Sequence, residues 1–355
     1  MQPHKIRNEY LECNMQQRTI LIIYTGGTIG MVEDPETGAL KACDFEGLIS
    51  HAPELKRIFC TVDVNSFNPI DSSDMNADVW VRIAKTIEFN YDKYDGFVVL
   101  HGTDTMSYSA SALSYLLENL QKPVVFTGSQ LPIGSTRTDA KENLITAVEI
   151  AATYEDDLPL VPEVSLLFED QLYRGNRTHK TNAEHFDAFH SFNYPALANV
   201  GVRVKFQKKQ IEYPTESLPL IVRDGMDNRV AALKLFPGIR EEVVRAMINI
   251  PDLQALVLET YGAGNAPTAP WFLEAISDGI KKGLIIANVS QCQGGGVDQG
   301  RYEASRGLKE LGVISAADIT FEAAITKLMY LLTYVKNKEE LKVHFSRPLR
   351  GELSI

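Results

Sequence analysis

Residues 19–30 read Thr-Ile-Leu-Ile-Ile-Tyr-Thr-Gly-Gly-Thr-Ile-Gly, and this stretch decides the fold. The apolar run Ile20 to Ile23 ends at Thr25-Gly26-Gly27, and a second hydroxyl, that of Thr28, follows directly. A short apolar run closed by glycines is typical of a buried strand in an open α/β sheet, whose ligands bind at the carboxyl ends of the strands. Taken alone, the stretch fits a catalytic loop, a nucleotide-phosphate loop, or a tight turn with its threonines in water.

A second stretch, residues 95–107, has the same arrangement. The apolar run Phe97 to Leu100 is followed by Gly102 and then by Thr103-Asp104. The apolar positions beyond it lie on one face at near-helical spacing and predict an amphipathic helix: Ala110, Leu113, Leu117 and Leu120. A hydroxyl and a carboxylate are therefore expected at the end of a second buried strand.

Two polar segments add further groups of the same kind. Asp71-Ser72-Ser73-Asp74-Met75 predicts a short polar turn, and residues 173–182 supply Lys180 in a polar loop. Hydroxyls, a carboxylate and a lysine can together make and break an acyl bond, which needs a nucleophile, a base and a group that orients the base. The structural alternatives are a Lys180–Asp104 salt bridge that only fastens a loop and a Ser72 that only caps a turn.

The chain has 355 residues, of which 45% are hydrophobic, and this length favours two α/β domains. Strands predicted at 20–24, 97–101, 124–127 and 164–168 alternate with helices, including one at 141–152, which is typical of a mostly parallel sheet flanked by helices. A second unit has predicted strands at 230–235, 255–259 and 284–289, and helices near 271–282, 302–311 and 321–335. We predict a flexible tail over 1–17, a larger N-terminal catalytic α/β domain over 18–206, a linker over 207–217, and a smaller C-terminal α/β domain over 218–355.

Charge and composition exclude several classes of partner. A net charge of −11 argues against nucleic acid and against an anionic membrane surface, since both need basic patches. Residues 1–17 contain no apolar signal segment, and no apolar stretch reaches the length of a membrane span. The four scattered cysteines suit a reducing compartment, so we expect a cytoplasmic protein: Cys13, Cys43, Cys60 and Cys292. Because the histidines show no zinc-ligand spacing and no P-loop motif occurs, we expect neither metal nor cofactor.

Together the polar segments resemble the L-asparaginase family, most closely its bacterial cytoplasmic type I members. The resemblance runs from about Arg18 to the C-terminus. It is carried by residues 24–30, 71–75, 101–106 and 174–181, by Tyr261-Gly262-Ala263-Gly264-Asn265-Ala266-Pro267, and by the tail Leu349-Arg350-Gly351-Glu352-Leu353. It implies a large N-terminal and a smaller C-terminal α/β domain, hydrolysis of L-asparagine to L-aspartate and ammonia, and a homodimer or homotetramer.

The resemblance also implies a role for each polar group. Thr28 corresponds to the nucleophile that forms a β-aspartyl ester, and Thr103, Asp104 and Lys180 correspond to a second catalytic set. Asp104 is further expected to hold the substrate's α-ammonium and Ser72 its α-carboxylate, with Asp71 and Ser73 beside it. Because a neighbouring carboxylate favours the charged lysine, Lys180 is expected to share a proton along the Thr103–Lys180–Asp104 chain. Which threonine attacks first stays open.

Two departures from the family pattern stand out. Ala39 lies where the family has a tyrosine on a mobile loop after the first threonine motif. Some type I members also bind a second asparagine as an activator, and the corresponding residues here are His179, Glu259, Asn265 and the run Ser290-Gln291-Cys292. Glu259 replaces an arginine that would bind the carboxylate of the activator as a two-pronged ion pair. We therefore expect no activation by asparagine.

Two other functions compete with the amidohydrolase. A nucleotide-binding oxidoreductase is suggested by the glycine-rich turn, but Gly26-Gly27-Thr28-Ile29-Gly30 lacks the G-x-G-x-x-G spacing. The glutaminase subunit of a tRNA-dependent amidotransferase resembles asparaginases, but it carries an additional N-terminal domain, whereas here the first strand begins by Thr19. We expect asparagine to be preferred over glutamine, although not absolutely, because the two differ by one methylene.

Overall fold

The computed structural model describes residues 17–33, 40–42 and 50–354. Ala39 and all of the predicted tail except Gln17 lie outside the described residues. Residues 50 and 51 are helical, and the α-helices whose full bounds lie in the described ranges are Ala77–Asn90 (α1), Met106–Leu116 (α2), Ala140–Ala151 (α3), Glu241–Ile248 (α4), Pro270–Lys281 (α5), Glu303–Glu310 (α6), Phe321–Tyr334 (α7) and Lys338–Phe345 (α8).

A large, mostly parallel sheet forms the N-terminal part of the molecule. Its strands are Arg18–Tyr24 (β1), Cys60–Ser66 (β2), Gly96–Leu100 (β3), Val124–Thr127 (β4), Val164–Phe168 (β5), Gln171–Arg174 (β6), Ala198–Asn199 (β7) and Lys205–Phe206 (β8). They lie in the order β8-β7-β6-β5-β4-β3-β1-β2. The five strands from β5 to β2 in this order run parallel, and β6, β7 and β8 are antiparallel to their neighbours.

Strand β1 shows why this sheet needs a helical layer on both faces. Successive strand residues point to opposite faces, and in β1 both sets are apolar. Leu21 and Ile23 pack into a core that also contains side chains of α1 and α2. Ile20 and Ile22 pack on the other face, in a core that contains side chains of α3. The sheet is therefore buried on both sides, and its strand ends are where ligands have access.

A smaller sheet forms the C-terminal part. It consists of Val230–Lys234 (β9), Ala255–Thr260 (β10), Ile285–Ser290 (β11) and Ile314–Ser315 (β12), which are all parallel and adjacent in chain order. Helices α7 and α8 cover one face, and α4, α5 and α6 cover the other. Tyr115 of α2 packs in the core beneath α7 and donates a hydrogen bond to the carbonyl oxygen of Ala323 at 3.2 Å, so the two parts share a buried contact.

The structure confirms the predicted fold class and differs from the sequence predictions at particular elements. Strand β2 was not predicted, because its sequence, Cys-Thr-Val-Asp-Val-Asn-Ser, contains no continuous apolar run; its apolar residues alternate with polar ones, as in a half-buried strand at the edge of a sheet. Helix α2 ends at Leu116, whereas the periodicity extended it to Leu120; Leu117 and Glu118 instead pair with Ile221–Val222 as short strands. Residues 207–217 contain no helix or strand, and the domain boundaries drawn around them stay a prediction.

Candidate active site

The polar segments converge at the carboxyl ends of three adjacent parallel strands. Tyr24, the last residue of β1, pairs with Ser66 at the end of β2 and with Leu100 at the end of β3. The turns that follow these strands carry Thr28, the Asp71–Asp74 segment and Thr103-Asp104. The structure therefore brings the predicted nucleophile, the predicted substrate turn and the predicted second catalytic set to one edge of the sheet.

The two threonines of the first motif have different positions. Thr25 is fully buried, and its hydroxyl donates to the carbonyl oxygen of Leu100 at 2.9 Å, which ties the β1 loop to β3. Thr28 begins the short 3₁₀ turn Thr28–Gly30 and is only partly buried. Thr25 is thus held inside the structure, and Thr28 is the less buried of the two threonines.

Gly27 allows the loop that follows β1 to contact the loop that follows β3. Its φ of 87° lies in the left-handed region, and a Cβ at this position would lie 2.4 Å from the backbone nitrogen of Gly102. Any side chain would collide with the other motif, so only glycine permits this approach. The glycine brings the Thr28 turn directly against the Thr103 turn.

Lys180 connects the second catalytic set. Its Nζ donates to Thr103 Oγ1 at 2.7 Å and to Asp104 Oδ1 at 2.6 Å. The lysine side chain is 16% exposed, whereas that of Asp104 is 68% exposed. The ammonium is therefore largely shielded beside the hydroxyl, while the carboxylate stays open to a charged ligand from solvent.

The substrate turn is fixed by its own hydrogen bonds. The Asp71 carboxylate accepts from the backbone N–H of Ser73 at 2.9 Å and from the Ser73 hydroxyl at 2.7 Å, and these two bonds lower the pKa of Asp71. Ser72 is buried, and its carbonyl oxygen accepts from the Thr105 hydroxyl at 2.6 Å. This last bond joins the turn to the Thr103–Thr105 segment, and the Ser72 hydroxyl lies against Gly102, where a Cβ would come within 2.6 Å of it.

Gln130 is a site residue that the sequence analysis missed. Its Oε1 accepts from Thr103 Oγ1 at 3.4 Å, and its Nε2 donates to the carbonyl oxygen of His185 at 3.0 Å. Its backbone N–H donates to Asp139 Oδ2 at 2.8 Å. The available signal was its position just after Gly128, at the end of the next parallel strand, β4. Gln130 links the Thr103 turn to the loop that follows Lys180.

The buried side chain of His101 holds the backbone directly before Thr103-Asp104. His101 Nδ1 donates to the carbonyl oxygen of Gly102 at 2.7 Å, and its Nε2 accepts from the Ser109 hydroxyl at 2.8 Å. Ser109 in turn accepts from Trp80 Nε1 at 2.8 Å. Burial lowers the pKa of His101 to about 4, so the ring is neutral at pH 7 and acts as a fixed hydrogen-bonding group.

The residues of the expected activator site lie mostly together. A cavity of about 160 Å³ is lined by His179, Glu259, Ser290, Gln291 and Cys292, and also by Lys234 and Phe321. Lys234 Nζ lies 3.5 Å from Glu259 Oε1, and His179 Nδ1 lies 2.8 Å from Glu322 Oε2. Asn265 is not among the described residues lining this cavity; it is held in a tight turn by backbone hydrogen bonds to Tyr261.

Neither a metal-ligand cluster nor a membrane span occurs in the part of the chain that the structure describes. Among these residues, no group of three or more histidine, cysteine, aspartate or glutamate side chains is placed to hold a metal ion. No helix in the described ranges is both long enough and apolar enough to cross a bilayer.

The fold and the site define the class: a two-domain α/β protein with threonine hydroxyls, a carboxylate and a lysine at one sheet edge. Family models described as "Asparaginase, N-terminal" and "Glutaminase/Asparaginase C-terminal domain" match residues 19–212 and 229–345. The chain therefore belongs to the asparaginase family.

Individual relatives support this assignment over nearly the whole chain. L-asparaginase 1 of Escherichia coli (strain K12) is 40% identical over 342 residues, which are 96% of this chain and 99% of that protein. The crystal structure of L-asparaginase I from Vibrio cholerae O1 biovar eltor str. N16961 has a TM-score of 0.87 at 38% identity and covers 96% of this chain and 100% of its own. A glutamyl-tRNA(Gln) amidotransferase subunit from Pyrococcus abyssi (strain GE5 / Orsay) is 32% identical over 94% of this chain and 76% of its own.

Proposed function

We propose that this protein is a cytoplasmic L-asparaginase that hydrolyses L-asparagine to L-aspartate and ammonia through a threonine acyl-enzyme. The observation that carries the proposal is the position of Lys180 Nζ, which bridges Thr103 and Asp104 at the sheet edge that also bears Thr28. A salt bridge with a purely structural role has no need of the Thr103 hydroxyl 2.7 Å from the ammonium.

The chemistry proceeds in two acyl-transfer steps. Thr28 Oγ attacks the side-chain amide carbon, its proton passes to the leaving nitrogen, and ammonia departs, which leaves a β-aspartyl ester on Thr28. Water held beside Thr103 then attacks the ester carbon and gives up a proton along the Thr103–Lys180–Asp104 chain. Aspartate leaves, and the Thr28 hydroxyl is restored. Backbone N–H groups of the glycine turns are the candidate donors to the oxyanion.

The substrate's other groups fit the remaining side chains. The exposed Asp104 carboxylate suits the α-ammonium, and the Ser72 hydroxyl, with Asp71 and Ser73 beside it, suits the α-carboxylate. Ser73 is bonded to Asp71, so its part is to shape the turn. The scheme draws on these side chains and on water, and it calls on neither a metal nor a cofactor.

The decisive experiment compares Thr28→Ala with Thr28→Ser. We expect Thr28→Ala to abolish ammonia release from asparagine with an unchanged melting temperature, and Thr28→Ser, which keeps a hydroxyl, to retain measurable turnover. Mass spectrometry of quenched wild-type enzyme should show the β-aspartyl ester on the peptide that contains Thr28. Full turnover by Thr28→Ala would end the assignment of the nucleophile.

The amidotransferase glutaminase subunit is the second candidate, and it has less support because that relative is 32% identical, against 40% for the E. coli asparaginase. Comparing kcat/KM for the two amides separates the candidates. Since a single methylene changes binding by about 1–3 kcal/mol, we expect asparagine to be preferred by about 10–200-fold. A preference for glutamine would reverse the assignment.

We also propose a homodimer or homotetramer that asparagine does not activate. In the cavity near Lys180, Glu259 places a carboxylate, partly balanced by Lys234, where an activating asparagine would present its own carboxylate. Repulsion between like charges disfavours that ligand.

A further inference from the structure

The C-terminal segment Leu349–Ser354 takes no part in the chemistry proposed above, yet it is anchored by a fully buried ion pair. Lys327 of α7 and Glu352 are both 0% exposed, and Lys327 Nζ lies 2.5 Å from Glu352 Oε1. The Glu352 carboxylate also accepts from the backbone N–H groups of Leu349, at 2.9 Å, and Arg350, at 2.7 Å. The carboxylate therefore folds the segment into a turn and holds it on α7.

The carbonyl groups of this turn hold the loop that leads to Lys180. Asn176 Nδ2 donates to the carbonyl oxygen of Arg350 at 2.9 Å. Arg177 Nε donates to the carbonyl oxygen of Gly351 at 2.7 Å, and Arg174 Nη1 donates to the same oxygen at 3.3 Å. Three side chains within four residues of the loop are thus fixed by two consecutive carbonyls of the segment.

Arg177 makes further contacts to the same region. It is buried, and its Nη1 and Nη2 donate to Asp318 Oδ2 at 2.9 Å and to the Ser354 hydroxyl at 3.3 Å. The backbone N–H of Ser354 donates to the other oxygen of Asp318 at 2.7 Å. A single guanidinium therefore joins the loop to both ends of the Gly351–Ser354 stretch.

Gly351 is the residue that this arrangement requires. Its φ of 69° is left-handed, and a Cβ there would lie 1.9 Å from Arg174 Nη1. No other residue allows the arginine to reach the carbonyl at this distance. Each residue of the run Arg350-Gly351-Glu352 therefore has a role. The Arg350 carbonyl and the Glu352 carboxylate accept hydrogen bonds, and Gly351 between them allows Arg174 to come close.

The short path from Arg177 to Lys180 leaves little freedom. Thr178 is buried and donates to Ser107 Oγ of α2 at 3.0 Å, and His179 pairs with Glu322 of α7. Lys180 follows directly and pairs with Phe189 as a short strand. Because only two residues separate Arg177 from Lys180, we expect a shift at Arg177 to reach the Lys180 backbone.

We propose that the segment Leu349–Ser354 is a positioning element for Lys180, with Glu352, Gly351 and Arg177 as its positioning residues. The proposal rests on the catalytic role of Lys180 given above. Its physical basis is that a misplacement of about 1 Å in a catalytic group costs about 10²-fold in rate, while substrate groups bound by Ser72 and Asp104 are left in place.

The test compares two double variants that both remove the buried charges. Lys327→Met/Glu352→Gln keeps an amide oxygen that accepts from Leu349 and Arg350, whereas Lys327→Met/Glu352→Leu removes the acceptor. We expect the leucine variant to lose at least about tenfold in kcat, with KM for asparagine within about threefold, and the glutamine variant to stay within about threefold of wild type in both. Melting temperatures show that both proteins are folded.

The same two double variants, made again in a Lys180→Met background, distinguish positioning of Lys180 from a general structural effect. If the segment acts through Lys180, the two variants differ by less than about twofold in residual kcat once the lysine is absent. Two results would overturn the proposal. One is a ratio of kcat between the two variants that is the same in the Lys180→Met background as with Lys180 present. The other is a folded leucine variant whose kcat equals that of the glutamine variant. If the leucine variant does not fold, Gly351→Ala, which leaves the ion pair intact and displaces Arg174, replaces it under the same criteria.

A failure of the proposed function is seen separately. Lys180→Met alone with wild-type turnover would remove the catalytic role of Lys180 and with it this proposal. An inactive Lys180→Met together with a fully active leucine variant would remove only the positioning role.

Discussion

At the residue scale, Lys180 and Asp104 form a pair with unequal access to water. The lysine is largely buried beside Thr103, and Asp104 is mostly exposed. Removal of the lysine therefore leaves a carboxylate that water can still solvate, so folding should change little. The catalytic effect should be large, because the Thr103 hydroxyl loses its charged neighbour.

We predict that Lys180→Met lowers kcat by about 10²–10⁴-fold, the usual contribution of a positioned acid–base group. The melting temperature should stay close to that of the wild type. Steady-state ammonia release and thermal unfolding measure the two effects. Lys208→Met is the matched control, because it removes an exposed lysine that is paired with Glu155 and belongs to none of the site segments. It should leave kcat and the melting temperature unchanged. A Lys180→Met enzyme with the wild-type rate would reduce the contact to a salt bridge.

His101 predicts a pH dependence of stability. Its pKa falls from 6.5 to about 4 on folding because the ring is buried, so the folded protein binds this proton less readily than the unfolded chain. The stability that depends on a neutral His101 is fully present above pH 6.5. As the pH falls from 6.5 toward 4, this group lowers the free energy of unfolding by a total of about 3 kcal/mol.

The measurement is the free energy of unfolding of wild type and His101→Gln at several pH values between 4 and 7. Other groups titrate in this range in both proteins, so the difference between the two curves isolates His101. We expect the difference to shrink as the pH falls. Parallel curves would contradict the lowered pKa.

At the element scale, α2 carries several buried serines whose hydroxyls have different partners. Ser109 joins His101 to Trp80, which come from β3's end and from α1. Ser111 donates only to the carbonyl oxygen of Ser107 one turn earlier in the same helix. One helix thus holds both a bond between elements and a local bond.

We predict that Ser109→Ala lowers the free energy of unfolding by about 1–3 kcal/mol, because it leaves two buried ring nitrogens without a partner. Ser111→Ala is the control and should change it by less than about 1 kcal/mol, since alanine suits a helix and the lost bond is local. Denaturant unfolding of both variants gives the comparison. Equal losses would mean that the bridge contributes nothing beyond helix packing.

At the scale of the whole molecule, the cavity of about 160 Å³ lies between the Lys180 loop, through His179, and the strand ends of the C-terminal sheet. An effector shifts an equilibrium only by its differential affinity for two states. Glu259 opposes the carboxylate of asparagine, so the cavity should not couple substrate concentration to Lys180.

We predict a hyperbolic dependence of rate on asparagine, with a Hill coefficient of about 1, in a homo-oligomer. Initial rates over a wide range of asparagine concentration, together with the mass in solution, measure this. A sigmoidal curve that becomes hyperbolic on changing Asn265 or Cys292 would show that the interpretation of Glu259 is wrong.

Local sequence was sufficient for the groups at the strand ends. The glycines after two buried runs predicted where Thr28 and Thr103-Asp104 lie, because parallel neighbours end at the same edge. Periodicity also placed α3, α5 and α7 within a residue or so of their observed ends, since each buries one apolar face. It failed at the end of α2, where tertiary pairing of Leu117 with Val222 overrides the helical pattern. Strand β2 was missed because its apolar residues alternate with polar ones instead of forming a continuous run.

Only the tertiary structure decided which distant groups support the site. Gln130 reaches Thr103 across two strand-end loops, and the Arg350 and Gly351 carbonyls meet residues 174 or more positions earlier in the chain. Sequence spacing carries no information on such contacts, because they depend on how neighbouring strand-end loops meet and on how the C-terminal segment packs against the large sheet. The sequence therefore determined the family, the fold class and the candidate chemistry, whereas only the tertiary structure showed that the C-terminal segment packs against residues 174–177 of the loop that leads to Lys180.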